Sequence, residues 1–128
     1  MRVHVDDRRL FYGDVFGTTD GDVNIVTLFA GGPVCGWHRH ESQDDMFFVV
    51  RGIVKVGWID RAGNGGFVTL CRESPGPITI EAGKWHGYVC LGAEDAVIVQ
   101  WLNRKYDPTD EERKSVVEMG VNWEVEAR

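Results

Sequence analysis

Three histidines carry the chemistry that this sequence offers. His38 and His40 close the run Gly32-Pro33-Val34-Cys35-Gly36-Trp37-His38-Arg39-His40, and His86 follows Glu81-Ala82-Gly83-Lys84-Trp85. In an extended strand residues two apart point the same way, so His38 and His40 share a face. Two imidazoles on one face can share a metal ion, flank a substrate or exchange a proton near neutral pH. On its own strand His86 shares a face with Tyr88 and Cys90. Asp45 brings a carboxylate close behind the histidine pair. Cys35 and Cys90 read as small core residues rather than nucleophiles, and His4 reads as exposed.

The elements that must position these side chains are short strands. They are expected over Leu10 to Phe16, Val23 to Ala30, Met46 to Arg51, Ile53 to Asp60, Phe67 to Cys71, Pro77 to Glu81, Trp85 to Leu91 and Ala96 to Leu102. Turn chemistry separates them, as in Thr19-Asp20-Gly21-Asp22, Arg61-Ala62-Gly63-Asn64-Gly65-Gly66 and Ser74-Pro75-Gly76-Pro77. Alternation puts Val54, Val56 and Trp58 on one face, Ile78 and Ile80 on another, and Val97, Val99 and Trp101 on a third. Such spacing predicts a sandwich or barrel. After Tyr106 the pattern changes. Asp107 as cap, Pro108 at the first position and the acids Asp110 to Glu112 predict one helix that runs to Met119 and stops at Gly120. Those acids are read as a helix start and not as a metal site. Val121 to Val125 is expected to add an edge strand anchored by Trp123.

Two stretches resemble the cupin motifs. The first resembles G-x5-H-x-H-x(3,4)-E-x6-G, with Gly32, His38, His40 and Gly52 in register and Asp45 where the family has Glu. The second resembles P-x-G-x2-H-x3-N, matched at Gly83 and His86, with Glu81 for Pro and Cys90 for Asn. The resemblance covers roughly Val23 to Leu102. It implies an all-β cupin, a jelly-roll barrel of the double-stranded β-helix kind, here with one C-terminal helix. It also implies that any metal would be held by His38, His40, Asp45 and His86, as a divalent transition ion such as iron, manganese, nickel or zinc.

The later part of the chain is similar to the nucleotide-sugar cupins. In dTDP-4-dehydrorhamnose 3,5-epimerases the segment reads H-G-F and then Y-x-P-x-x-E. In dTDP-4-keto-6-deoxyhexose 3,4-ketoisomerases it reads G-x-W and then K-Y-D-x-x-D, which Gly83, Trp85, Lys105, Tyr106, Asp107 and Asp110 match. The epimerases' catalytic Tyr falls near Val99 or Gln100, and the ketoisomerases' Arg before H-x-H is Cys35. This resemblance implies an isomerase or epimerase relative acting on a nucleotide-linked keto sugar without a cofactor. His38, His40 and Tyr88 would be catalytic, and Arg39, Arg51, Lys84 and Trp85 would bind substrate at the rim. A metal-dependent dioxygenase or lyase and a non-catalytic metabolite-binding cupin stand as alternatives.

Composition bounds the partners. At 128 residues, 43% of them hydrophobic, the chain is expected to form one domain, 1–128. A net charge of −6 argues against nucleic acid. A local cationic patch from Arg39, Arg51, Lys55, Arg61, Arg72 and Lys84 could still receive a small phosphorylated ligand. Three cysteines without C-x-x-C spacing, no membrane-length apolar run and no signal-peptide pattern point to the cytoplasm. An open sheet edge needs a partner or a cover, and a homodimer is expected.

Overall fold

The structure is a computed structural model that describes residues 1–8, 10–13, 15–17 and 20–124, the segment 10–13 by its backbone alone. Its strands in chain order are β1 (Arg2–Val5), β2 (Leu10–Gly13), β3 (Asp22–Leu28), β4 (Cys35–Arg39), β5 (Asp45–Arg51), β6 (Val54–Ile59), β7 (Gly65–Leu70), β8 (Ile78–Ile80), β9 (Trp85–Cys90), β10 (Ala96–Leu102) and β11 (Glu112–Arg113). A 3-10 turn (Pro108–Asp110) precedes β11, and a one-turn helix α1 (Val116–Met119) follows it. Every strand pairing is antiparallel. One sheet runs β3-β10-β5-β8, the other β11-β4-β9-β6-β7, and β1-β2 form a separate hairpin.

The core fills the space between the two larger sheets. Phe47 and Val49 of β5 and Ala96 and Ile98 of β10 meet Val54 and Val56 of β6, Leu70 of β7 and Cys90 of β9. Period-2 alternation produces this packing, because each strand turns one side chain in two toward the facing sheet. On β10 Ala96, Ile98 and Leu102 are buried on one face, whereas on the other Val97 and Val99 are half-buried and Trp101 is buried, its indole N–H donating to the Asp20 carbonyl. Gly52, at φ +83°, makes the turn from β5 to β6. A Cβ there would lie 2.8 Å from Ala96, so the cupin-motif glycine is needed both for its dihedral and for its lack of volume.

A second apolar cluster lies on the outer side of the five-stranded sheet. Trp37, Trp85 and Trp123 are buried there, with Val116, Met119 and Val121 packed against them. Trp37 and Trp123 sit with ring centroids 5.2 Å apart. The expected C-terminal helix is not formed as one piece. Asp107 does cap, accepting from the Thr109 N–H at 2.9 Å, but the turn it starts ends at Asp110. Glu112 and Arg113 then leave the helix to pair with Arg39 and His38 on β4. Ser115 caps a second start and Gly120, at φ +65°, closes it. Residues 121–124 form no strand, and Val125 lies outside the described residues, as do Asp14 of the first expected strand and Thr19 of the first expected turn.

Candidate functional site

Strand β4 delivers His38 to the inside of the barrel and Trp37 to the outside. It pairs with β9 so that His38 lies opposite His86 and Gly36 opposite Gly87, with the register shifting between the two pairs. A Cβ on Gly36 would come within 2.9 Å of the Gly87 backbone, so two glycines let the strands close up beside the histidines. His40 follows just past the strand end. Asp45 opens β5 on the opposite sheet.

These residues line one cavity of about 130 Å³ at the barrel mouth, together with Asn24, Gln43, Tyr88, Gln100, Tyr106 and Glu111. Asp45 is at its floor, 1% exposed. Its carboxylate accepts from His86 Nε2 at 3.0 Å and from the Gln43 and Gln100 amides. Burial pushes the Asp45 carboxyl up. The hydrogen bond and charge of His86, with Gln43 and His40, outweigh burial and hold it below its ordinary range. His40 Nδ1 donates to the Asp110 carbonyl at 2.9 Å, which leaves Nε2 directed at Asp45, 3.8 Å away.

His38 is the more accessible imidazole, 25% exposed, with Nδ1 3.4 Å from Glu111 Oε1. Burial, joined by the charge of His86, pushes it below the ordinary imidazole value despite the pull of Glu111. Tyr88 packs edge-on against Phe47. Burial, then the nearby Cys35, Asp45 and Glu111, push its phenol up to about 12, so it keeps its proton and can donate. The cavity therefore holds an imidazole whose neutral form is favoured and a phenol that keeps its proton near neutral pH. It also holds three candidate metal donors, His40, Asp45 and His86, whose ligating atoms lie within 4.8 Å of one another. His40 has the backing hydrogen bond that metal-bound imidazoles usually make, whereas His86 Nδ1 has no partner among the described residues. His38 stands outside that triangle, turned to Glu111.

No family model matches the chain. The spore coat polysaccharide biosynthesis protein SpsL of Bacillus subtilis is 27% identical over 143 residues, covering 98% of this chain and 92% of that protein. A probable low-salt glycan biosynthesis epimerase of Haloferax volcanii is 28% identical over 103 residues, 73% of this chain and 66% of that protein. Among solved structures, a dTDP sugar isomerase from Desulfovibrio desulfuricans superposes with a TM-score of 0.82 at 19% identity, over 95% of this chain and 86% of that one. The chain has the cupin fold of the dTDP-sugar isomerases. The cupin motif positions His38, His40, Asp45 and His86 thus meet at the barrel mouth as their register implied.

The expected rim residues of this cupin do not reach the cavity. Arg39 alternates away from His38 and His40, lies 4.8 Å over the Trp85 ring and pairs with Glu112 at 2.7 Å. Trp85 is buried in the outer tryptophan cluster. Lys84 pairs with Glu81 at 2.8 Å and lies over Trp58. Arg51 ends β5 six residues from Asp45, about 20 Å along the strand, and pairs with Glu94 at 3.1 Å. The other expected patch cations disperse too: Lys55 is buried on the Trp123 carbonyl and Arg61 pairs with Glu41. The acids Asp110 and Glu111, read from sequence as a helix start, are instead site structure. Asp110 accepts from the Glu41 and Ser42 N–H groups at 3.0 Å and holds His40 through its carbonyl. Glu111 faces His38. Its signal was in the sequence, since Tyr106-Asp107-Pro108-Thr109-Asp110-Glu111 fits Y-x-P-x-x-E in full.

Proposed function

We propose that this cupin is an isomerase or epimerase for a nucleotide-linked keto sugar. The observation that carries the reading is the shared cavity of His38 and Tyr88, a neutral base beside a neutral donor. His38 removes the proton from the carbon next to the keto group. The electron pair of that C–H bond moves onto the carbonyl oxygen, and the Tyr88 hydroxyl donates to the resulting enediolate. Return of the proton to the same or the neighbouring carbon completes the inversion or the shift of the keto group, with no redox change and no cofactor. The similarity to a glycan biosynthesis epimerase and a dTDP sugar isomerase supports the substrate class. Incubation with a dTDP-4-keto-6-deoxy sugar in deuterated water should place deuterium at C3 or C5. Folded protein that exchanges no proton with any nucleotide-linked keto sugar would leave the metabolite-binding reading in its place.

The His40, Asp45 and His86 triangle favours a second reading, a divalent transition metal and dioxygenase or lyase chemistry. Metal analysis of protein purified without a metal-affinity tag decides it. Under this reading His86→Ala loses the metal, because a direct bond is gone. Asp45→Ala weakens it less, and His38→Ala keeps it.

We further assign a homodimer in the cytoplasm. Among the described residues the edge strand β3 pairs only with β10, and Val23 and Ile25 on its outer face are more than half exposed. An apolar edge of that kind is protected by a second copy. Sedimentation should report twice the chain mass, and a monomer at high concentration would count against it. The cysteines are free, which suits a reducing compartment, and no described helix is long and apolar enough to cross a membrane.

A further inference from the structure

Beside the histidine cavity lies a larger one of about 370 Å³, lined by Ser42, Gln43, Arg104, Lys105, Thr109 and Asp110 among others. Gln43 lines both cavities. Asp110 joins them too: its carbonyl holds His40, while its carboxylate accepts from the Glu41 and Ser42 N–H groups. An extended ligand can therefore occupy both spaces at once. Arg104 is the distinctive group of the second cavity. It is exposed and, among the described residues, pairs with no acid; its one hydrogen bond, from Nη1 to the Ser42 carbonyl, is 3.4 Å long. Arg39, Arg51, Arg61 and Lys84 differ, since an acid already holds each of them. The acids of the cavity are turned to the chain itself. Asp110 takes the two N–H groups above, and Asp107 Oδ1 accepts from the Thr109 N–H at 2.9 Å and from the Thr109 hydroxyl at 2.7 Å. Lys105 adds a second cation, paired with Asp22 at 2.8 Å but 81% exposed.

A guanidinium whose N–H groups are largely unspent offers a planar fork that phosphate oxygens accept in pairs. In a nucleotide-linked sugar the diphosphate is bonded directly to the anomeric carbon of the ring. With the keto sugar against His38 and Tyr88, the diphosphate must lie in the adjoining space. We propose that the side cavity is the diphosphate subsite, with Arg104 as the cation that binds the phosphates and Lys105 as a weaker one at its edge. The identity of the ligand rests on the isomerase reading, but diphosphate binding can be measured without turnover.

Calorimetric titration of the full chain with dTDP, thymidine and inorganic pyrophosphate tests the subsite. Wild type should bind pyrophosphate, should bind dTDP about tenfold or more tighter than thymidine, and should lose affinity for dTDP as salt rises. Arg104→Ala, at an exposed side chain, should weaken dTDP by about tenfold to a hundredfold and leave thymidine unchanged. Arg104→Lys keeps the charge but not the fork, and should fall between. Lys105→Ala should cost about twofold to fivefold. Arg51→Ala and Lys84→Ala should bind dTDP like wild type. With the keto-sugar substrate, Arg104→Ala should raise KM by a factor similar to its loss of dTDP affinity and leave kcat within about threefold. Unchanged dTDP affinity in folded Arg104→Ala overturns the proposal, as does wild-type protein that binds dTDP no tighter than thymidine. Loss of dTDP binding in Arg51→Ala or Lys84→Ala would place the phosphates elsewhere and also overturns it. Protein that binds dTDP through Arg104 but exchanges no proton with a keto sugar refutes the isomerase reading and leaves the subsite standing. Turnover at unchanged KM in Arg104→Ala refutes the subsite and leaves the isomerase reading standing.

Discussion

Replacing His38 with alanine is expected to slow deuterium incorporation into the keto sugar by about a hundredfold or more, the usual loss when a general base is removed. His40→Ala should also slow it, by disturbing Asp45 and the cavity wall. The two variants should differ in kind, because His40 is buried against the Asp110 carbonyl while His38 stands open to the cavity. The pH dependence follows from the same geometry. The base works when neutral, so activity falls as pH drops through the His38 pKa. Burial and the charge of His86 hold that pKa below the ordinary imidazole value of about 6.5. The acid limb of the rate profile should therefore lie below pH ~6.5, lower than for a free histidine. Tyr88, pushed up to about 12, keeps its proton across the alkaline range, and no loss near pH 10 should come from it. A His38→Ala variant with wild-type exchange, or an acid limb above neutral pH, would remove His38 from the role.

Trp37→Ala should cost stability of the order of 3–5 kcal/mol, the range for deleting a large buried aromatic. Trp37 is 1% exposed and packs against Trp85 and Trp123 on the outside of β4. Its N–H and C=O also pair with Lys114, at 2.7 and 2.9 Å, so the ring and the backbone hold the C-terminal segment to the same place. The cavity left behind is rigid on one side, where β4 and β9 close up at Gly36 and Gly87, and can collapse only by moving residues 114–123. Urea denaturation should show the loss as a lower midpoint, with hydrogen exchange rising first in that segment. A cost under ~1 kcal/mol would mean that the tryptophan cluster is not a second core.

Most of the strands and the histidine site were legible because both rest on short-range pattern, whereas β1, β4 and β11 lay outside the expected strand ranges. Val54, Val56 and the His38-x-His40 pair declare their faces through a period of two, and the cupin spacing fixes which strands must meet. The helix was misread for a physical reason. Asp107-Pro108 and Gly120 are true start and stop signals, but they belong to two different one-turn elements. Between them Glu112 and Arg113 gain more from the open edge of β4 than from helical bonds, and tertiary pairing overrides local propensity. The rim cations failed for another reason. Arg39, Arg51 and Lys84 each have an acid partner that only the folded chain reveals. Arg51 could have been excluded earlier, because a seven-residue strand separates its ends by more than a sugar ring spans. Glu111 was hidden by the helix reading, which gave its charge to a dipole that is not there.

The pairing of β4 with both β9 and β11 also has a kinetic side. His38 is fixed by partners from the last third of the chain on either hand, His86 on one edge and Arg113 on the other. Nascent chain carrying β4 alone can form neither ladder. His38 therefore cannot take up its geometry until synthesis has passed Arg113 and two distant closures have been made, the slow kind of contact in folding. During that interval the β4 edge is bare and His38 is solvated, so the chain is most open to mispairing just before the site appears.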